Sequence, residues 1–170
     1  MIRIREMEER DAESAGALEG LVFSMPWKRE DFLEMVNAPY AHYYVAVCEE
    51  EASRVVGICG LRELSGDAEI TNVVVHPDFR RQHLATRLLT EALKKSEALG
   101  IFDTTLEVRE SNEAAKRLYE NFGFKAEGRR PGFYEKPAED ALIYWRRLPH
   151  GEKASRPEAT YEAPKGGEVL

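Results

Sequence analysis

The stretch that decides the fold reads Val73-Val-Val-His-Pro-Asp-Phe-Arg-Arg-Gln-His-Leu-Ala-Thr-Arg-Leu-Leu-Thr-Glu-Ala-Leu-Lys-Lys-Ser96. An apolar run typical of a strand leads through a cationic turn into a segment whose leucines recur at helical spacing. The first N–H groups of a helix lack intrahelical partners and, with the helix dipole, attract anions. Positive charge is concentrated there by Arg80, Arg81, His83 and Arg87. The sequence therefore predicts a phosphate site at this junction.

The chain as a whole is acidic, which sets this basic turn apart. Its 170 residues include 31 Asp and Glu against 24 Lys and Arg, a net charge of -7. Binding to nucleic acid or to an anionic membrane usually needs a broad basic face, so we expect neither as a direct partner. The length and the 43% hydrophobic content favour a single domain, and we expect a monomer or weak dimer.

Composition excludes several other classes of protein. Cys48 and Cys59 lie in apolar, strand-like surroundings without CxxC spacing, which predicts buried, reduced thiols. The four histidines share no metal-ligand spacing, so no metal site is predicted. The chain lacks a run of 18 apolar residues and a signal-peptide core, and we expect a cytoplasmic protein.

Hydrophobic periodicity and turn residues predict an α+β fold. Helices are predicted at 11–21, 28–37, 84–99 and from an N-cap at Ser111 to 121; strands are predicted at 2–5, 43–48, 54–64, 68–75, 104–108, 124–127 and 141–146. This order implies a mixed, mostly antiparallel sheet flanked by helices, with a parallel strand pair across the helix that follows Arg80. Residues 1–148 form the predicted domain. Proline, glycine and charge without apolar period predict a flexible or loosely docked tail over 149–170.

The cationic turn resembles a family signature. Arg80-Arg-Gln-His-Leu-Ala85 is similar to the (Gln/Arg)-x-x-Gly-x-(Gly/Ala) motif of the GCN5-related N-acetyltransferases (GNAT). The departure is His83, which stands where the family usually has glycine. Histidine adds a side chain, but it tolerates the left-handed backbone region better than most residues.

Within that family, residues 1–148 look most like the RimI-type enzymes, the bacterial ribosomal-protein-alanine N-acetyltransferases that modify an N-terminal α-amine. The matching segments are Met25-Pro-Trp27, Leu106-Glu-Val-Arg-Glu-Ser-Asn112, Ala115, Leu118-Tyr119, Gly123-Phe124 and Glu139-Asp-Ala141. Two further departures are Met25, where phenylalanine is more usual, and the Pro131-Gly132 pair in the predicted loop before Tyr134.

The resemblance implies the GNAT fold, with acetyl-coenzyme A bound at the parallel strand pair as cosubstrate and no metal. It implies that loop amides from Arg81 to Ala85 hold the pyrophosphate and that backbone N–H groups around Val74 and Val75 stabilise charge on the carbonyl oxygen. The full implied set for the cosubstrate is Val73, Val74, Val75, Arg80, Arg81, Gln82, His83, Leu84, Ala85, Thr86 and Asn112. Taken alone, Val74 and Val75 also fit a buried apolar strand, and Arg80 and Arg81 fit a solvated basic surface. Asn112 also fits a helix cap.

The resemblance also implies the catalytic pair. Glu107 matches the family's general base. An α-amine has a pKa of about 7.7 to 8.0, so at neutral pH it is mostly protonated and a base must remove its proton. Tyr119 matches the general acid, and its ring is expected to be partly buried. Periodicity alone leaves Glu107 as a solvated strand residue, on the face opposite Leu106 and Val108, and Tyr119 as part of an apolar helix stripe.

For the acceptor, the resemblance implies Trp27, Tyr134 and Glu139 beside the entry of a peptide N-terminus, with Glu69 as a further candidate in the same groove. Trp27 can equally pack against the second helix, and Glu69 can be an ordinary exposed strand residue. We expect an N-terminal α-amine, of a ribosomal protein or another protein, as acceptor. Two alternatives stay open at this point: transfer to a lysine, polyamine or other small amine, and a non-catalytic acyl-coenzyme A-binding module.

Overall fold

A computed structural model describes residues 1–149 of the chain. Its helices and strands are, in chain order, β1 Ile2–Glu6, α1 Ala12–Val22, α2 Arg29–Asn37, β2 Ala41–Cys48, β3 Arg54–Leu64, β4 Asp67–Val75, α3 Leu84–Ala98, β5 Asp103–Arg109, α4 Glu113–Asn121, β6 Lys125–Glu135 and β7 Ala138–Arg147. Short 3-10 turns precede α1 at Glu9–Asp11 and follow β4 at Pro77–Phe79. In the described range, no helix has the length and apolar content needed to span a membrane. The predicted tail lies outside the described residues, apart from Pro149.

The strands form one mixed sheet in the order β1-β2-β3-β4-β5-β7-β6. Neighbouring strands are antiparallel except β4 and β5, which run parallel and are joined through α3. A parallel pair needs such a crossover because the chain must return to the same end of the sheet. The predicted fold class, the antiparallel meander from β2 to β4 and the parallel pair are all confirmed.

Helices cover both faces of the sheet, and each face has its own apolar core. Helices α3 and α4 pack on one face, where Leu88 and Tyr119 meet alternate strand residues such as Val73. Helices α1 and α2 pack on the other face, where Phe32 meets the intervening residues such as Val74. Because successive side chains of a strand point to opposite faces, β4 contributes to both cores.

Two local predictions were wrong. Asn112, not Ser111, is the N-cap of α4, and its Oδ1 accepts from the Ala115 N–H at 3.2 Å. Strand β6 is much longer than the predicted 124–127 and includes the Pro131-Gly132 pair, which was assigned to a loop. Pairing with β7 sustains the strand through an irregularity between Arg130 and Tyr134, and an edge strand tolerates proline because one side of its backbone needs no partner.

Candidate active site

The two parallel strands separate soon after they meet. β4 and β5 pair at Ala68 with Thr104 and at Glu69 with Thr105. Among the described residues, no strand pairs with that edge of β4 between Glu69 and its end at Val75. Backbone polar groups on a strand edge remain available for other partners. The separation therefore leaves an opening in the sheet, where no described strand covers this edge of β4; at its end, the Val75 carbonyl accepts from Arg80 Nε at 3.3 Å.

A tight turn with left-handed backbone lies between the end of β4 and the start of α3. Arg81 has φ +62° and His83 has φ +58° and ψ 22°, in the left-handed region. Histidine thus adopts at position 83 the conformation that usually favours glycine. Helix α3 begins immediately afterwards at Leu84. The first amides of α3 have no intrahelical acceptor, and the residues from His83 to Thr86 that carry them line a neighbouring groove.

That groove runs between the start of α3 and the start of α4 and has a volume of about 410 Å³. It is lined by Val75, Phe79, Arg80, Arg81, His83, Leu84, Ala85, Thr86, Asn112, Ala114, Ala115 and Leu118. Most of the residues predicted for the cosubstrate are therefore brought together. Gln82 is exposed outside the lining, and the side chains of Val73 and Val74 are buried in the two cores. Sequence reasoning missed Phe79, Ala114, Ala115 and Leu118 as lining residues, although Ala115 and Leu118 belong to the segments that resemble the family.

The Glu107 side chain lies on the opposite face of the sheet from helices α3 and α4, whose first residues line this groove. Its neighbours Leu106 and Val108 belong to the α3 and α4 core, so the Glu107 side chain points towards the α1 and α2 face. The carboxylate is 16% exposed and contacts Arg130 Nε at 3.0 Å. Burial raises the pKa of Glu107; Arg130 opposes that rise, Glu69 reinforces it, and the net result is a pKa above the ordinary value. A carboxylate shifted upward in pKa is suited to accept a proton.

A second carboxylate on the same face carries its own counter-ion. Glu69 is held by Arg62, whose Nε and Nη2 lie 2.8 and 2.6 Å from Glu69 Oε2. Glu69 pairs with Thr105 in the sheet, two residues before Glu107, so the two carboxylates share one face. Sequence reasoning named Glu69 but missed Arg62.

Tyr119 is buried more deeply than predicted. Its side chain is fully buried, with an edge-on contact of 5.8 Å between the centroids of its ring and that of Phe124. Burial, with added contributions from Cys59 and Tyr134, holds the pKa of Tyr119 well above its usual value. The partial burial expected from the helix stripe was an underestimate, because the sheet and the residues after α4 enclose the ring from both sides.

Comparison with known protein families identifies the family of this chain. The Acetyltransferase (GNAT) family matches residues 3–124 of the chain. The chain belongs to this family. The predicted family and enzyme class are confirmed.

Several acetyltransferases of this family are similar to the chain over most of their length. A putative ribosomal protein bS18-alanine N-acetyltransferase of Bacillus subtilis (strain 168) is 35% identical over 143 residues, covering 84% of this chain and 93% of the relative. The N-alpha-acetyltransferase RimI of Mycobacterium tuberculosis (strain ATCC 25618 / H37Rv) is 28% identical over 146 residues, covering 82% and 89%. The crystal structure of the ribosomal-protein-S18-alanine N-acetyltransferase from Escherichia coli superposes with a TM-score of 0.79 at 26% identity, covering 90% and 97%. These similarities confirm the predicted likeness to RimI-type enzymes.

Two aromatic residues predicted to contact the acceptor of this GNAT acetyltransferase, Trp27 and Tyr134, are buried or nearly buried. Trp27 is nearly buried and packs against Phe32 and Tyr43, with ring centroids 5.5 and 6.2 Å away. This is the packing role that the sequence left open. Tyr134 is also mostly buried, and Arg109 Cζ lies 4.2 Å from the centroid of its ring.

Glu139 has structural partners that occupy both carboxylate oxygens. Its Oε1 accepts from the Ser111 N–H at 2.7 Å, and its Oε2 lies 3.4 Å from Arg109 Nη1. Hydrogen bonds from Ser111, followed by those from Arg109, hold the pKa of Glu139 below its ordinary value. Glu139 thus joins β7 to the loop before α4. The acceptor role predicted for it stays a prediction.

A buried polar network behind Trp27 was missed entirely. Glu19 on α1 is fully buried, accepts from the Trp27 N–H at 3.2 Å and accepts from Asn72 Nδ2 at 2.9 Å. The Tyr43 hydroxyl lies 2.5 Å from Thr71 Oγ1 and donates to Asn72 Oδ1 at 3.1 Å. One signal was present in the sequence: Glu19 follows Ala15 by four positions, on the apolar stripe of α1.

Proposed function

We propose that this acetyltransferase moves an acetyl group from acetyl-coenzyme A directly to the α-amine at a protein N-terminus. The observation that carries the proposal is Glu107, a mostly buried carboxylate with a raised pKa at the point where β4 and β5 separate. The relatives named above are alanine N-acetyltransferases of ribosomal protein bS18 or N-alpha-acetyltransferases. A protein N-terminus that begins with alanine is therefore the first acceptor to test.

The groove beside α3 suits a diphosphate with an apolar arm. Arg81, His83 and the first residues of α3 line it, and its remaining wall is largely apolar. The side chains of Arg80 and Arg81 line the same end and supply positive charge. These residues would hold the diphosphate of acetyl-coenzyme A, and the edge of β4 that no described strand covers would face its arm. The cosubstrate supplies the acetyl group as a thioester.

Glu107 would take the proton that makes the acceptor amine nucleophilic. An α-ammonium has a pKa of about 7.7 to 8.0, against about 10.4 for a lysine side chain. Proton transfer from the α-ammonium to a given carboxylate is thus more favourable by about 2.5 pKa units, or about 3.4 kcal/mol. This difference favours an N-terminal amine over a lysine as the acceptor.

Tyr119 would hold the proton that the departing thiolate of coenzyme A needs. Its raised pKa keeps the phenol protonated at neutral pH, which is the state a donor requires. Cys59 is a poor nucleophile for a covalent route, because burial raises the pKa of its thiol and suppresses the thiolate. The suppressed thiolate of Cys59 favours direct transfer between two bound substrates.

The decisive experiment compares acceptors and one substitution. Purified protein is incubated with acetyl-coenzyme A and either an Ala-Arg-initiated peptide, the same peptide blocked at its N-terminus but containing lysine, or spermidine, and the products are identified by mass spectrometry. We expect acetylation at the α-amine of the free peptide. Faster transfer to spermidine or to the lysine of the blocked peptide would overturn the proposed acceptor.

Glu107→Gln is expected to lower turnover by about 10²- to 10⁴-fold while acetyl-coenzyme A binding, measured by calorimetry, is retained. Glu91→Gln, at a partly exposed position of α3 where the side chain pairs with Lys94, is the control and is expected to keep normal turnover. Unchanged turnover in Glu107→Gln would remove the proposed base. Tyr119→Phe is expected to slow transfer without unfolding the protein; a large loss of stability with normal specific activity would leave Tyr119 as a packing residue.

A further inference from the structure

The two carboxylates on the acceptor side of the sheet have counter-ions of very different exposure. Arg62 is 12% exposed and contacts Glu69 through two nitrogens, while Glu69 itself is 11% exposed. Arg130 is 57% exposed and contacts Glu107 through Nε at 3.0 Å. A buried guanidinium held by two N–H groups is restrained, whereas an exposed ion pair contributes little and exchanges readily with water.

The position of Arg130 in the sheet also allows its side chain to move. β6 is the edge strand, so only β7 restrains its backbone. The ladder between the two is irregular directly after Arg130. The guanidinium carbon already lies 5.8 Å from the centroid of the Phe133 ring, a distance at which a cation and an aromatic face attract each other. The ring contacts the guanidinium in the same conformation that pairs with Glu107, so Arg130 can leave the carboxylate without losing every partner.

We propose that Arg130 is a displaceable counter-ion of Glu107, which occupies in the free enzyme the place beside the carboxylate that the acceptor ammonium takes when it binds. This inference rests on the proposed function, because it requires a cationic acceptor at Glu107. Arg130 is in this sense a positioning residue.

The local charge balance supports an exchange of one cation for another. The charged groups that act on Glu107 are Arg130 from β6, Glu69 from β4 and Arg62 from β3. With Glu107 they make two negative and two positive charges. An incoming ammonium adds a third positive charge, which repels Arg130. The departure of Arg130 removes this repulsion and so favours binding of the ammonium. Arg62 cannot leave in its place because Glu69 holds it inside the fold.

Arg130 has two opposing effects in this arrangement. Its positive charge lowers the pKa of Glu107 and so keeps the base ionised before the acceptor arrives. The same charge competes with the acceptor for the carboxylate. Loss of Arg130 therefore raises the pKa on the acid side of the kcat/KM profile, by about 0.3 to 0.7 pH unit for a pair this exposed. It also lowers the acceptor KM about two- to fivefold at pH values above that limb, with kcat little changed.

The test compares three variants with the wild type. Arg130→Met removes the charge and keeps an unbranched apolar side chain, Arg130→Lys restores the charge, and Arg129→Gln is the control on the same strand. Arg129 contacts Glu110 and Asp140 instead of Glu107. We expect the shifted acid limb and the lower acceptor KM in Arg130→Met alone, with Arg130→Lys close to the wild type.

A measurement without turnover separates this inference from the proposed function. The carboxyl carbon of Glu107 is followed by ¹³C NMR during pH titration of the free protein, with its resonance assigned by Glu107→Gln. The pKa of Glu107 is expected to be higher in Arg130→Met than in the wild type. An unchanged titration, or an acceptor KM that rises in Arg130→Met, would refute the role of Arg130. A wild type that titrates as expected but acetylates no peptide would instead refute the proposed acceptor.

Discussion

Replacing Gly60 with alanine should destabilise the protein because strand β3 passes directly beneath an aromatic ring. A Cβ added at Gly60 would lie 2.5 Å from Tyr43 Cε2 and 2.6 Å from Thr71 Oγ1. Favourable carbon contacts occur at about 3.5 to 4.0 Å, so the ring must move by about an ångström. Trp27 stacks on the same ring and Asn72 accepts from its hydroxyl, so a movement of that size disturbs both.

The size of the effect follows from these contacts. Overpacking in a core costs about 1 to 3 kcal/mol, and leaving a buried hydrogen-bonding group without its partner costs about another 1 to 3 kcal/mol. Gly60→Ala is therefore expected to lower the free energy of unfolding by about 2 to 6 kcal/mol. Whole domains are stable by only about 5 to 15 kcal/mol, so this loss is a substantial part of the total stability.

Gly20→Ala is the matched control, because the same change is made where there is space. Gly20 lies on the exposed side of α1, and an added Cβ meets no other group within 4 Å. Alanine is favoured over glycine inside a helix by about 0.5 to 1 kcal/mol, so this variant should be slightly more stable than the wild type.

Urea unfolding, followed by tryptophan fluorescence, measures both variants against the wild type. The expected order of stability is Gly20→Ala, wild type, Gly60→Ala. A Gly60→Ala protein that unfolds at the wild-type urea midpoint would show that the Tyr43 ring does not lie against β3 as described.

Two further predictions concern the ends of helices. Asn112→Ala removes the side chain that accepts from the Ala115 N–H, so it should lower the free energy of unfolding by about 1 kcal/mol. Asn121→Ala, at the exposed other end of α4, is the control and should change the free energy of unfolding by less than about 0.5 kcal/mol. Equal urea midpoints for the two variants would contradict the assigned cap. Burial acts to raise the pKa of Asp11, but the hydrogen bonds and charge of Arg5 outweigh it and the pKa lies below its ordinary value of 3.8. The ion pair therefore stabilises the fold fully at neutral pH. The free energy of unfolding of the wild type should exceed that of Asp11→Asn, and this difference should shrink as the pH falls below about 3.8. A difference that stays constant down to pH 2 would exclude this linkage.

Much of the fold could be predicted because its signals are local. The helical spacing of leucines after His83 predicts α3, and the turn residues between the apolar runs predict the meander from β2 to β4. Strand β6 was underestimated for the opposite reason. Its exposed, polar and proline-containing sequence has no strand signal of its own, and it is a strand because β7 pairs with it.

The candidate site divides in the same way. Residues of the groove follow one another along the chain at the start of α3 and of α4, and the motif of six residues from Arg80 to Ala85 contains five of the twelve lining residues. The partners of Glu107 could not be predicted in this way. Arg130 is 23 positions away and Arg62 is 45 positions away in the chain, and neither spacing carries any periodic signal.

The sequence by itself determined the acidic balance of the chain, the order of its helices and strands, and the left-handed turn that opens α3. These properties depend on residues a few positions apart, where side-chain type and backbone preference act directly. Only the tertiary structure decided that Glu107 meets Arg130, that Glu139 joins β7 to the loop before α4, and that Tyr119 is fully enclosed. Those outcomes depend on strand register and on which faces become buried, and both are set by contacts between distant parts of the chain.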